Sequence, residues 1–145
     1  MSGLVFVDTN VLVYARDAGH PRKQERAASW MAHLWHDRNG RVSYQVLQEF
    51  YVTVTAKLTP GMSKRVARGE VRALMAWDPI EIDQAVIEKA WMIQDKYGLP
   101  WWDAVIGSAA QLSGCTTLLT EDLQEGQTLG NLRVVNPFKH SPEDL

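Results

Sequence analysis

Leu4-Val5-Phe6-Val7 is an unbroken apolar run that stops at Asp8. A strand this short, with no polar alternation, has to be covered on both faces, and sheets covered on both faces are mostly parallel ones with helices packed above and below. The rest of the chain meets that demand. Further strands are predicted at Arg41–Ser43, Pro79–Ile82, Thr116–Leu119 and Leu132–Val135, with helical segments between them. Asp8-Thr9-Asn10 supplies capping side chains for a short helix from Val11 to Ala15. Pro21 suits the first turn of a second helix running to about Arg38, with Ala27, Trp30, Met31, Leu34 and Trp35 at helical spacing and Asn39-Gly40 ending it. Gln45 to Leu58 reads as a third helix. Ser63 caps a basic fourth reaching Trp77, Asp83 caps a fifth ending at Gly98, and Trp102 to Ser113 forms a sixth. Strands alternating with helices give an α/β fold of three layers, a parallel sheet of four or five strands with helices on both faces. In such sheets ligands bind outside the carboxyl ends of the strands.

The 145 residues suit one domain, 1–145, able to bury roughly 68–70% of its unfolded surface without a disulfide or structural metal. Cys115 is the only cysteine, so no intramolecular disulfide is possible and a reducing cytoplasm is expected. The first apolar run is broken too early by Asp8, Thr9 and Asn10 for a signal peptide or a membrane span. The net charge of −2 hides an asymmetry. Residues 1–77 carry eleven Lys/Arg against six Asp/Glu, while residues 78–145 carry four against eleven. A basic half can face a polyanion while an acidic half supplies metal ligands; two solvated faces of opposite sign explain the asymmetry equally well.

Four acids lie where strands end or on helices that reach those ends. Asp8 follows the first strand, Asp122 follows Thr116–Leu119, Asp103 opens the sixth helix, and Glu49 sits on the third. Each has an ordinary explanation. Asp8 suits an N-cap, Asp122 a turn, and Asp103 the favourable end of a helix dipole. Glu49 is different, because the residues three and four positions away are Gln45, Val46, Val52 and Thr53, and none is charged. Carboxylates gathered without a basic partner repel one another, and a divalent cation with a taste for oxygen ligands relieves the repulsion. An acidic cluster around Mg²⁺ or Mn²⁺ is a common device for cutting phosphodiesters with water.

The order and wording of the motifs are distinctive: V-D-T-N after the first strand, Q-E-F on the third helix, W-D-A at a helix start, T-E-D after the Thr116–Leu119 strand, and a closing V-V-N-P-F. From Leu4 to Phe138 the chain resembles the PIN-domain ribonucleases, and within them the VapC-type toxins of bacterial toxin–antitoxin pairs. The resemblance implies a PIN-like fold and a metal-dependent endoribonuclease. It implies that Asp8, Glu49, Asp103 and Asp122 form the acidic site, with Asp8, Asp103 and Asp122 on the metal. It also implies that Thr9, Asn10 and Thr120 support them, and that Asp122, not the adjacent Glu121, holds the motif position. A small antitoxin of the VapB type, an RNA substrate and a homodimer are implied as partners. The antitoxin is expected on the helix of Phe50, Tyr51 and Val54 together with the basic helix after Ser63.

Other residues invite simpler readings. His33 and His36 share a helix face, but nothing completes a zinc site, so the four histidines read as surface residues. Trp30, Trp35, Trp91 and Trp102 fit core spacing, while Trp101 is a candidate for stacking a base at the site mouth. Lys64, Arg68 and Arg72 form a basic stripe with Arg65 beside it. Arg16, Arg22, Lys23 and Arg26 cluster soon after Asp8 and are candidates for phosphate contact. A haloacid-dehalogenase-type phosphotransferase would need a second Asp where Asn10 stands, and a receiver domain a Lys after a late strand. A non-catalytic RNA-binding or scaffold module with the same fold is the rival from another class.

Overall fold

The computed structural model describes residues 3–145. Its elements run β1 (Leu4–Val7), α1 (Thr9–Tyr14), α2 (Pro21–Asp37), β2 (Gly40–Arg41), α3 (Tyr44–Ala56), α4 (Lys64–Leu74), α5 (Gln84–Tyr97), α6 (Trp101–Leu112), β3 (Cys115–Leu119), β4 (Thr128–Leu129) and β5 (Leu132–Val135). The strands form one sheet in the order β2-β1-β3-β5-β4. β1 pairs in parallel with β2 on one side and with β3 on the other, so the chain reverses its direction of travel across the sheet at β1. Val5, Phe6 and Val7 point alternately to the two faces, and all three are fully buried. Both faces are therefore covered, as the apolar run requires.

The caps explain most helix starts. Asp8 accepts from the Thr9 backbone N–H, and Ser43, Ser63 and Asp83 each accept from the N–H three residues on. Pro21 occupies the first turn of α2, where its missing N–H costs nothing. α2 ends at Asp37, one residue short of Asn39-Gly40, because Arg38 takes the left-handed conformation, with φ 56. The C-terminal tail is tied back to α2: the Trp30 indole N–H donates to Pro137 O (3.0 Å), and Arg26 donates to His140 O (2.8 Å).

Two strand expectations are corrected. Pro79–Ile82 makes only an isolated bridge from Ile80 to Ser43. Pro79 has no N–H to give a ladder, and Asp83 must turn into the cap of α5. The β2 strand also falls one residue earlier than expected, because Ser43 is spent capping α3. The fifth strand of the sheet is instead β4, antiparallel to β5, so the sheet is not wholly parallel. Its signal was the Gly130-Asn131 pair between Leu129 and Leu132, a two-residue hairpin loop with Gly130 at φ 62.

The tryptophans are also redistributed. Trp30 is fully buried, but Trp35 is 40%, Trp91 54% and Trp102 65% exposed, against the expectation of core. Trp101 is half-buried and packs on the core instead. Helical spacing identifies a shared face, not which face is covered. Trp77 is the unforeseen core residue. It lies against Trp35, with ring centroids 5.0 Å apart, and over Gly40.

A Cβ added at Gly40 would sit 2.6 Å from the Trp77 ring. Gly40→Ala is expected to cost about 1–3 kcal/mol in thermal or urea unfolding. Gly69, in mid-α4 with open space around it, provides the contrast: Gly69→Ala is expected to gain about 0.5–1 kcal/mol. Equal effects of the two substitutions would contradict this packing.

Candidate active site

The carboxyl ends of β1 and β3 adjoin. The Asp8 N–H donates to Leu119 O (3.1 Å) and the Thr120 N–H to Val135 O (3.1 Å), so the backbone ladder runs on into the residues that carry the chemistry. Asp8 is buried, only 8% exposed. Its Oδ1 accepts from the Thr9 N–H at 2.7 Å, and its Oδ2 accepts from the Thr120 hydroxyl at 2.8 Å. The capping role and the site role are thus divided between its two oxygens.

Asn10 and Thr120 knit the acids together. The Asn10 amide donates to Thr120 Oγ1 (3.0 Å) and Asp122 Oδ2 (3.1 Å), and more distantly to Asp8 Oδ2 (3.4 Å). Thr120 is fully buried and also accepts from the Asp122 N–H at 3.1 Å. Glu49 reaches the same place from α3. The Thr9 hydroxyl donates to its Oε2 (2.9 Å) and the Gln45 amide to its Oε1 (3.0 Å). Gln45 was missed as an orienting residue, although its i, i+4 spacing to Glu49 was the available signal.

Electrostatics mark the four acids as neighbours. Burial pushes Asp8 up to about 6; the Thr120 and Thr9 hydrogen bonds pull it down, and Asp122 and Glu49 push it further up by repulsion. Asp103, in the first turn of α6, is raised chiefly by burial and then by Asp122. The structure therefore brings Asp8, Glu49, Asp103 and Asp122 to one edge, with Thr9, Asn10 and Thr120 among them. Glu121 turns away and pairs with Lys23 at 2.8 Å.

Among the described residues no three His, Cys, Asp or Glu side chains form a closed metal-ligand group. The donor chemistry nonetheless suits a hard divalent cation: oxygens only, one of them on a buried carboxylate that resists ionisation. Mg²⁺ keeps several of its own waters and needs few protein ligands, which matches an open arrangement.

The basic residues after Asp8 are mostly engaged elsewhere. Arg16 pairs with Glu70 at 2.6 Å, Arg26 holds the tail, and Lys23 lies over the Tyr14 and Phe138 rings while bonded to Glu121. Arg22 is exposed and makes no ion pair among the described residues. His33 and His36 both turn to Asp37. Cys115 is buried, and burial pushes its thiol up to about 12, leaving it inert.

The PIN domain family model matches residues 5–124. The chain belongs to the PIN domain family. No curated protein matches it. Among solved structures, this PIN domain is similar to a toxin–antitoxin complex from Klebsiella pneumoniae, with TM-score 0.62 and 21% identity over 92% of this chain and 97% of that one. VapBC2 from Rickettsia felis, bound to a DNA fragment from its promoter, gives TM-score 0.59 and 19% identity over 90% and 96%. VapC20 from Mycobacterium tuberculosis, a toxin that cleaves the sarcin–ricin loop, gives 0.55 and 19% over 79% and 86%. At these identities the likeness is one of fold.

The surface expected for a partner is corrected in part. Phe50 and Val54 are buried in the core, at 1% and 0% exposure. What α3 and α4 offer outward is a shallow groove floored by Leu47, Tyr51, Val71 and Met75 and edged by Arg68 and Arg72.

A carboxyl raised by the fold contributes stability that is full below its ordinary value, near 3.8, and is lost as pH rises through about 6. In EDTA at pH 7.5, Asp8→Asn is therefore expected to stabilise the protein by about 1–3 kcal/mol, a gain that shrinks toward zero near pH 4. Thermal melts of both proteins at the two pH values check this. A gain independent of pH would mean that the burial of this charge is not the cause.

Proposed function

We propose that this PIN domain is a Mg²⁺- or Mn²⁺-dependent endoribonuclease and the toxin of a toxin–antitoxin pair. The observation that carries the reading is the meeting of Asp8, Glu49, Asp103 and Asp122 at the strand ends of a PIN domain, with Asp8 buried against its own charge. The solved structures with this fold include toxin–antitoxin complexes and a sarcin–ricin loop cleaving toxin, and they support the same assignment.

Asp8, Asp103 and Asp122 would hold the ion. When bound, it supplies positive charge that offsets both the carboxylates and the phosphate. The chain's own residues do the positioning. Thr120 and Asn10 fix the Asp8 and Asp122 oxygens, and Thr9 and Gln45 fix Glu49. Glu49 is exposed, and each of its oxygens keeps a free lone pair, so it can orient a water and take its proton. Among the described residues no His–Lys pair stands at the site to activate a ribose 2′-hydroxyl. Water therefore attacks phosphorus and gives a proton to Glu49, the P–O3′ bond breaks, the leaving 3′ oxygen takes a proton from solvent, and the products carry 5′-phosphate and 3′-hydroxyl ends.

Asp8→Asn is expected to lower RNA cleavage more than ~100-fold with the fold intact, because a direct ligand matters at least as much as its supports. Cleavage stops in EDTA and returns with Mg²⁺ or Mn²⁺. The ion also raises the melting temperature of the wild type more than that of Asp8→Asn. Metal-independent cutting, or 2′,3′-cyclic phosphate ends, would overturn the mechanism. Metal binding without cleavage would favour a non-catalytic RNA-binding module.

An antitoxin with an acidic, apolar segment fits the α3–α4 groove, where Arg68 and Arg72 border an apolar floor. A homodimer and a cytoplasmic setting accompany this reading. Arg68→Glu with Arg72→Glu is expected to weaken co-purification of a co-expressed antitoxin at least 10-fold while leaving cleavage by the free toxin unchanged. An unaltered complex would place the partner elsewhere.

A further inference from the structure

We propose that Trp102 and Lys57 are substrate-positioning residues on opposite flanks of the acidic site, with the Trp102 indole stacking on a base to one side of the cut and the Lys57 ammonium holding a phosphate on the other. The proposal rests on the reading of the site as one that cuts RNA.

Two tryptophans stand together at the start of α6, and they are treated oppositely. Trp101 packs on the core, whereas Trp102 is 65% exposed. An exposed indole keeps a broad π-face open to a partner. α6 leads directly into β3 and packs on it, so its N-terminal end lies at the carboxyl edge of the sheet. Side chains in a helix lean toward its N-terminus, and a first-turn residue leans past the helix end. Trp102 is therefore presented at the edge where its neighbour Asp103 feels Asp122.

The other flank is a groove along α3, lined by Thr9, Gln48, Glu49, Val52, Thr53 and Lys57. It starts at the hydrogen-bonded pair Thr9 and Glu49 and ends at Lys57, the C-cap of α3. A lysine there ordinarily serves the helix dipole. Here it also lines a channel leading from the carboxylates, and among the described residues it makes no ion pair, with Glu49 or any other acid. Arg16, Lys23 and Arg26, in contrast, are already committed within the fold. α3 follows β2 and α6 precedes β3, and these strands lie on either side of β1. A strand gripped at both places runs along the α3 groove past Glu49 and on toward the Asp103 turn of α6. A π-face and one free cation supply that grip where four carboxylates repel a polyanion, and stacking of this kind tolerates any base.

The test uses the Asp8→Asn protein, which should hold RNA without cutting it. Binding of a fluorescein-labelled adenosine 15-mer RNA is compared with binding of the same strand carrying abasic riboses. Trp102→Ala is expected to weaken binding of the adenosine strand about 10-fold and leave the abasic strand unchanged, and Trp102→Phe should restore most of the loss. Lys57→Ala is expected to weaken both strands and flatten the salt slope by about 0.7, with Lys57→Arg restoring it. Trp91→Ala, at another exposed indole, is the control. Equal losses on both strands, an unchanged salt slope, or a loss of dimer or antitoxin contact alone would overturn the proposal. Cleavage of bulk RNA in Mg²⁺, run on proteins with Asp8 restored, separates the two failures. If the wild type cuts while the variants bind as it does, only this proposal falls. If the wild type neither binds nor cuts, the ribonuclease reading falls and takes this one with it.

Discussion

The structure is organised around a carboxylate that it would be easier to leave in water. Asp8 is the first residue past the central strand, and it is almost wholly enclosed. Enclosure favours its neutral form, as its rise to about 6 records. What makes the position tenable is a set of short, neutral hydrogen bonds from Thr9 and Thr120. The Thr120 hydroxyl donates to Asp8 and accepts from Asn10 and from the Asp122 backbone, so one buried oxygen ties the segment after β1 to the segment after β3. Such a network is costly if half made, and here each partner has its bond.

This constraint propagates outward. Thr120 follows β3 and Asp8 follows β1, so the two strands must be adjacent and in register, as they are from Val5 opposite Thr117 to Val7 opposite Leu119. That adjacency forces the chain to place β2 on the far side of β1, which makes the carboxyl end of β1 the switch point of the sheet. Helices arrive there from both sides. α3 delivers Glu49 and α6 delivers Asp103. The site is therefore built on rigid elements, which suits chemistry that depends on position.

Charge outside the acidic edge is largely consumed in holding the molecule together. The Arg16–Glu70 pair joins the α1 end to α4, Lys23 joins α2 to the residue before Asp122, and Arg26 with Trp30 anchors the tail. Surface pairs of this kind contribute little each, but they fix which cations remain available to an incoming polyanion. The N-terminal half is basic in composition, yet few of those cations face the site unpaired.

The sequence by itself determined the α/β class, the six helices, the caps at Asp8, Ser63 and Asp83, and β1, β3 and β5. It also located the positions of the acids that gather at one edge. These follow from local physics: apolar runs, capping residues and strand ends need only their near neighbours. Tertiary structure decided the rest. Pro79–Ile82 failed as a strand because pairing depends on a partner's free edge and on the demand of Asp83 for a cap. Trp102 turned outward and Trp77 inward because helical period fixes relative, not absolute, orientation. The pairing of Lys23 with Glu121 spans most of the chain, and Lys57 has no such pairing among the described residues. Both are settled by where α2, α3 and β3 come to rest, and no window of sequence contains that information.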